Sequence, residues 1–135
     1  MEHHVYFAVF AFDHDPAELD LLLGRNADDY WREGEAFSDA QPEARRRENR
    51  WILSSQLDRH ASHRDHFEKL LLKLQTLAEQ LPLLRDQYRC GIGVSQYFFM
   101  DDPTFYLPAE IIDGYRQLGF DISFDQLGLD HGTGN

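Results

Sequence analysis

SHRDHFEKLLLKLQTLAEQL, residues 62–81, is the stretch on which the fold turns. Phe67, Leu70, Leu71, Leu74, Leu77, Ala78 and Leu81 recur at three- and four-residue spacing, which places them along one face of a helix. Ser62 and Asp65 supply a helix start. Pro82 cannot continue the hydrogen-bond ladder, so residues 82–88 read as a separate short helix. Lys73 is read as lying on the exposed side. A leucine stripe of this length needs an apolar surface to cover, and the flanking sequence has to provide it.

Four segments can provide it. Val5–Phe12 is continuously apolar, as in a strand buried on both faces. Trp51–Leu57 alternates, Trp51, Leu53 and Ser55 against Ile52, Ser54 and Gln56. Cys90–Met100 carries Tyr97, Phe98 and Phe99, although Gly91 and Gly93 weaken it as a strand. Phe120, Ile122 and Phe124 alternate with Asp121, Ser123 and Asp125, giving one wet face. Asp15-Pro16-Ala17-Glu18 opens a further helix, with Leu19, Leu22 and Leu23 as its stripe and Gly24 as its left-handed stop. Pro108–Leu118 is another, closed by Gly119. Residues 25–50 show no sustained period and read as a long polar connection. Asp101–Pro103 reads as a turn.

The expected fold is therefore α+β: one sheet of four or five strands, mostly antiparallel, with helices on one face. Pro16-Ala17-Glu18-Leu19 and Pro108-Ala109-Glu110-Ile111 echo each other after aromatic strands. Two such halves around the long helix would make ferredoxin-like halves with an inserted helix. A chain of 135 residues forms a single domain, 1–135, with an ordered core at about 5–127 and a flexible tail at 128–135.

Composition narrows the class. Apolar residues are 42% of the chain and aromatics 13%, which excludes a disordered polymer. Cys90 is the only cysteine, so no internal disulfide forms and a Cys-rich zinc module is excluded. The expectation is a cytoplasmic protein without a targeting segment or membrane span. The net charge is −11, unevenly spread. Residues 1–44 hold eleven acids and two bases, residues 45–89 six acids and ten bases, and residues 90–135 seven acids and one base. Such a chain repels nucleic acid overall. Arg45, Arg46, Arg47 and Arg50 are the local exception. They read as a solvated loop, because no aromatic residue interleaves with them as a single-strand-binding arm would require.

Trp31-Arg32-Glu33-Gly34-Glu35 and Trp51-Ile52-Leu53-Ser54-Ser55 resemble the bacterial domain family DUF4279. The shared layout is an aromatic first strand, an Asp-Pro-x-Glu helix start, a Trp-x-x-Gly turn and a Trp-led second strand. A Leu-rich helix, an aromatic strand after a glycine and a closing strand of the form Leu-Gly-x-x-Ile/Leu-x-Phe complete it, over about residues 5–127. The arginine run at 45–50 departs from that layout. The resemblance implies no agreed activity. Small acidic proteins similar to these occur as immunity proteins beside bacterial toxins.

No catalytic signature is present. His60, His63 and His66 share a face only in adjacent pairs, so a zinc cage would need a third or fourth ligand besides them, such as Asp65 or His131, and neither metal nor cofactor is expected. The carboxylate pairs Asp28/Asp29, Glu33/Glu35 and Asp101/Asp102 arise readily in so acidic a chain. Cys90 reads as a structural cysteine. Gly91-Ile92-Gly93 lacks the third glycine of a dinucleotide loop. The reading is a non-enzymatic binding protein, an immunity-type inhibitor of a basic toxin. Its partner-binding residues are Asp28, Asp29, Trp31, Arg32, Glu33, Glu35 and Asp39, where acids steer a basic protein and Trp31 anchors it. The alternative is a small-molecule-binding domain or hydrolase with a groove between Trp31, Trp51 and Tyr97–Phe99. A homodimer is left open.

Overall fold

The strand at the start of the chain becomes the centre of the sheet. In the computed structural model, which describes residues 2–99 and 106–129, β1 (Glu2–Phe10) pairs antiparallel with β5 (Arg50–Ser54) on one side and with β6 (Arg89–Phe99) on the other. β2 (Asp29–Trp31) adds to the outer edge of β5, and β7 (Ile122–Leu129) runs parallel to β6, for the order β2-β5-β1-β6-β7. β3 (Ala36–Ser38) and β4 (Gln41–Arg45) form a second, two-stranded sheet. The helices are α1 (Ala17–Leu23), α2 (His63–Gln75), α3 (Leu81–Gln87) and α4 (Ala109–Leu118). The fold is α+β.

Registers set the two faces. Phe7 lies opposite Leu53 and Ile92, Val9 opposite Trp51, and Val5 opposite Val94, so these side chains share a face. They form one buried cluster with Leu19 and Leu23 of α1, Phe67, Leu70 and Leu74 of α2, Leu84 of α3 and Ile111 and Tyr115 of α4. All four helices thus cover one face of the five-stranded sheet. Fully burying one such side chain is worth about 1.5–3 kcal/mol.

Several expectations are corrected. The sheet is mixed, and there are two sheets rather than one. Residues 25–50 are not a featureless connection: they hold β2 and the β3–β4 hairpin. Every residue of that hairpin is exposed, so no apolar alternation marked it, and Pro42 is tolerated on its edge. This segment also reverses the chain, bringing β5 back antiparallel to β1, whereas β6, α4 and β7 make a parallel crossover between adjacent strands. The two halves are not equivalent, and the ferredoxin-like pairing is absent.

The long helix stops at Gln75, not Leu81. Thr76 donates its hydroxyl to Lys73 O at 2.6 Å, and Leu77 N–H reaches Leu74 O at 2.9 Å, tightening the chain into turns before α3. β5 ends at Ser54 because Gln56 takes a left-handed φ of 58°. In α1, Leu19 and Leu23 are buried but Leu22 is exposed. Asp15 accepts the Ala17 N–H at 2.9 Å just ahead of α1, and the Glu18 carboxylate pairs with His14 at 3.0 Å rather than closing a capping box. β7 extends through Leu129, into the span expected as tail, and Phe124 is exposed rather than half-buried. The Asp101–Pro103 turn, His131 and the remaining tail 130–135 lie outside the described residues.

Lys73 is buried, contrary to its reading as an exposed residue; Leu72 takes the exposed position. Its aliphatic stem runs along the core, and its ammonium emerges at the sheet edge. There it donates to Ser54 O at 2.7 Å, to Gln56 Oε1 at 2.8 Å and to the Asp28 carboxylate at 3.2 Å.

Candidate functional site

On the face away from the helices, β1 presents His4 and Tyr6, β5 presents Arg50, Ile52 and Ser54, and β6 presents Ser95. The β3–β4 hairpin arches over them as an arm. Between arm and sheet lies an open groove of about 1010 Å³, walled on the sheet's outer edge by Asp28, Asp29 and Trp31 and on the arm by Phe37, Gln41 and residues 44–48. The volume is of the size that holds a small molecule.

The arm is held by stacked charge. The Arg46 guanidinium lies 3.8 Å from the centre of the Trp31 ring and 4.0 Å from that of Phe37, sandwiched between the two. It also donates to Phe37 O at 3.0 Å. Backbone bonds between Gly34 and Arg46 at 2.9 Å, and between Arg46 and Glu35 at 2.8 Å, tie the arm to the turn after β2. The aromatic partners missing beside the arginines in sequence are thus supplied in space by other strands. Arg50 donates to Glu48 at 2.7 Å, while its Nε is shielded from solvent without a hydrogen-bond acceptor among the described residues.

The floor is aromatic. The Tyr6 ring lies across β6 at Gly93, where a side-chain Cβ would collide with it, so only glycine admits the ring there. His4 sits beside it, with ring centres 5.2 Å apart.

The seven residues named from sequence divide. Asp28, Asp29 and Trp31 line the groove. Asp28 accepts from Ser54 N–H at 2.9 Å as well as from Lys73, so its charge is already answered. Asp29 accepts from the Tyr30 N–H at 2.9 Å. Arg32 turns away to the start of α1, where it grips Asp15 through two bonds of 2.8 and 3.0 Å and reaches Glu35 at 3.4 Å. That grip, with the Ala17 N–H, holds the Asp15 carboxyl below its usual range. Glu33 and Asp39 are exposed on the turn and on the hairpin. Trp51 does not face the groove. It is wholly buried on the helix side, and its indole N–H donates to Asp20 at 2.8 Å. The side chains of Tyr97, Phe98 and Phe99 lie outside the described residues.

The histidines do not converge. His66 is buried, sharing a hydrogen bond of 2.6 Å with the Ser55 hydroxyl and one of 3.0 Å with Asp58 O. Burial pushes its pKa below the ordinary histidine value. Among the described residues no group of three His, Cys, Asp or Glu is placed to hold a metal ion, and no helix is long and apolar enough to cross a membrane. Burial pushes the Cys90 thiol up to about 11, which keeps it protonated and a poor nucleophile.

What sequence reasoning missed is the arm: Phe37, Arg45, Arg46 and Arg47 belong to the site. The arginine run was the visible signal; its partners Trp31 and Phe37 lie about ten residues or more away in sequence and become neighbours only by strand pairing. Residues 1–129 match the model of a family described as a domain of unknown function, DUF4279. No curated protein and no solved structure matches the chain.

Proposed function

We propose, on the premise that this chain belongs to the DUF4279 family, that it is a non-enzymatic binding protein whose ligand seat is the groove under the β3–β4 arm, and that it acts in the cytoplasm. The observation that carries this reading is the convergence of Trp31, Phe37, Tyr6 and four arginines on one concave surface. Concave sites with aromatic walls and a few fixed polar groups are where small ligands bind. Asp28 and Glu48 are engaged by Lys73 and Arg50, which favours holding a ligand over acid–base chemistry on it.

Native mass spectrometry of the chain after exposure to a cell metabolite extract tests the reading. A retained small molecule should disappear when the groove is filled by Ser95→Trp from its floor or by Ala44→Trp from its arm. Retention unchanged in both variants would remove the groove as the seat.

Capture of a basic protein, in an immunity-type role, is the second reading. Glu33 and Asp39 are exposed and would face such a partner, whereas Asp28, Arg32 and Glu35 are tied into internal pairs. Affinity capture at low salt, with and without Glu33→Lys and Asp39→Lys, tests it; equal capture by both forms would exclude an acidic docking surface.

A further inference from the structure

We infer that the groove selects a small anion in which an oxyanion, phosphate or carboxylate, is joined to a planar ring. This deepens the groove reading and rests on it. The first support is charge. Arg45 and Arg47 line the seat as its uncommitted cations, and two of the three acids in its wall are already paired, Asp28 with Lys73 and Glu48 with Arg50. In a chain of net charge −11, this groove is a cationic island, and guanidinium forks match phosphate and carboxylate geometry.

The second support is Arg50 itself. Its Nε is shielded from solvent and donates to nothing among the described residues, while its Nη2 is engaged by Glu48. Buried donors are normally satisfied, and a turn of the Arg50 side chain, which lines the groove, would bring this one to a ligand oxygen. Arg46 is not available for that role, because the Trp31 and Phe37 rings and Phe37 O hold it in the arm.

The third support is the uncharged part of the seat. Tyr6 lies against the sheet at Gly93, with the His4 ring beside it and Ile52 also on the floor. A flat ring can stack there while its oxyanion meets the arginines. A long polyanion is disfavoured, since Asp29 stands on the sheet's outer edge across its path.

The test titrates the full chain with four probes at about 50 mM salt, where exposed charges are little screened: phenyl phosphate, phenylacetate, inorganic phosphate and benzyl alcohol. Backbone amide shifts report the site. At least one of the two ring oxyanions should bind about tenfold tighter than inorganic phosphate or benzyl alcohol alone. Its shifts should centre on Tyr6, Ser54, Ser95 and the arm. Which of the two binds better distinguishes a phosphate from a carboxylate ligand. Arg45→Gln with Arg47→Gln, both exposed and so harmless to folding, should weaken that binding about tenfold and flatten its salt dependence.

The inference is overturned if ring oxyanions bind no better than benzyl alcohol, if the double variant binds as well as the parent, or if a single-stranded oligonucleotide binds more tightly than every probe. Should a neutral or cationic metabolite be retained and then lost in Ser95→Trp, the groove stands and only the oxyanion inference fails. Should no retained molecule be lost in either filling variant, both fail.

Discussion

On one face of the five-stranded sheet, Val5, Phe7 and Val9 of β1 are wholly buried in one cluster with residues of all four helices; on the other, Tyr6 of the same strand is half-buried beside His4 and beneath an arm of arginines. The first face is filled by close-packed apolar side chains, where each removed methylene is felt. The second is concave, wet and charged, and its order depends on stacked rings and ion pairs. Stability should therefore reside on the helix side and recognition on the groove side, with Lys73 and Asp28 joining the two across the edge of β5.

The largest test of that contrast is Leu74→Ala, which should cost roughly 2–5 kcal/mol, as truncation of a fully buried leucine does. Leu72→Ala, on the exposed side of the same helix, should stay within about 0.5 kcal/mol. Equal effects in urea titrations would mean that the helix turns another face to the sheet.

Lys73→Ala comes next. Removing the ammonium leaves the Asp28 carboxylate, Ser54 O and Gln56 without their donor, and should cost roughly 3 kcal/mol, as stripping one partner from a buried pair does. Asp28→Asn should soften that loss. A double-mutant cycle with coupling indistinguishable from zero would show that the pair behaves as a solvated one and does not link the faces.

A smaller effect comes from acid. Because burial lowers the pKa of His66, the folded chain refuses a proton that the unfolded chain accepts. Its contribution is intact above the unfolded value near 6.5 and is lost as pH falls from there toward the folded pKa, at no more than about 1.4 kcal/mol per unit. Stability measured from pH 7.5 to 5 should fall more steeply for the parent than for His66→Gln. Parallel slopes would place His66 in contact with water.

The smallest expected effect is on the groove side. Arg45→Gln and Arg47→Gln should each change stability by less than about 0.5 kcal/mol, even though both line the seat. A large loss there would make the arginines part of the scaffold and erase the division between the faces.

The helix face was legible in the sequence because burial against a single surface imposes a period. Phe67, Leu70, Leu71 and Leu74 repeat with the helix, and Trp51 and Leu53 alternate with the strand. Ser62 caps α2 through Asp65 N–H, and Gly24 ends α1 in the left-handed region, both as local chemistry requires. The seat was legible only in fragments. Trp31 and the arginine run stood out, but the hairpin carrying Phe37 and Arg46 has two exposed faces and therefore no period. Lys73 looked like a surface residue because nothing local reveals that its ammonium will meet Ser54 O, Gln56 and Asp28.

By itself, then, the sequence determined the family, the α+β class and most helices and strands, since these follow from short-range periodicity and capping; it did not show that β1, which reads as buried on both faces, turns Tyr6 to an open groove. Tertiary structure alone decided the mixed order β2-β5-β1-β6-β7, the return of β5 antiparallel to β1 and the arm over the open face. It also turned an arginine run into a ring-stacked groove and left the acids beside it partly neutralised. Those features depend on pairings between residues about ten or more apart, Arg46 with Trp31, Lys73 with Asp28 and Tyr6 with Gly93, whose energies exist only once the strands have met.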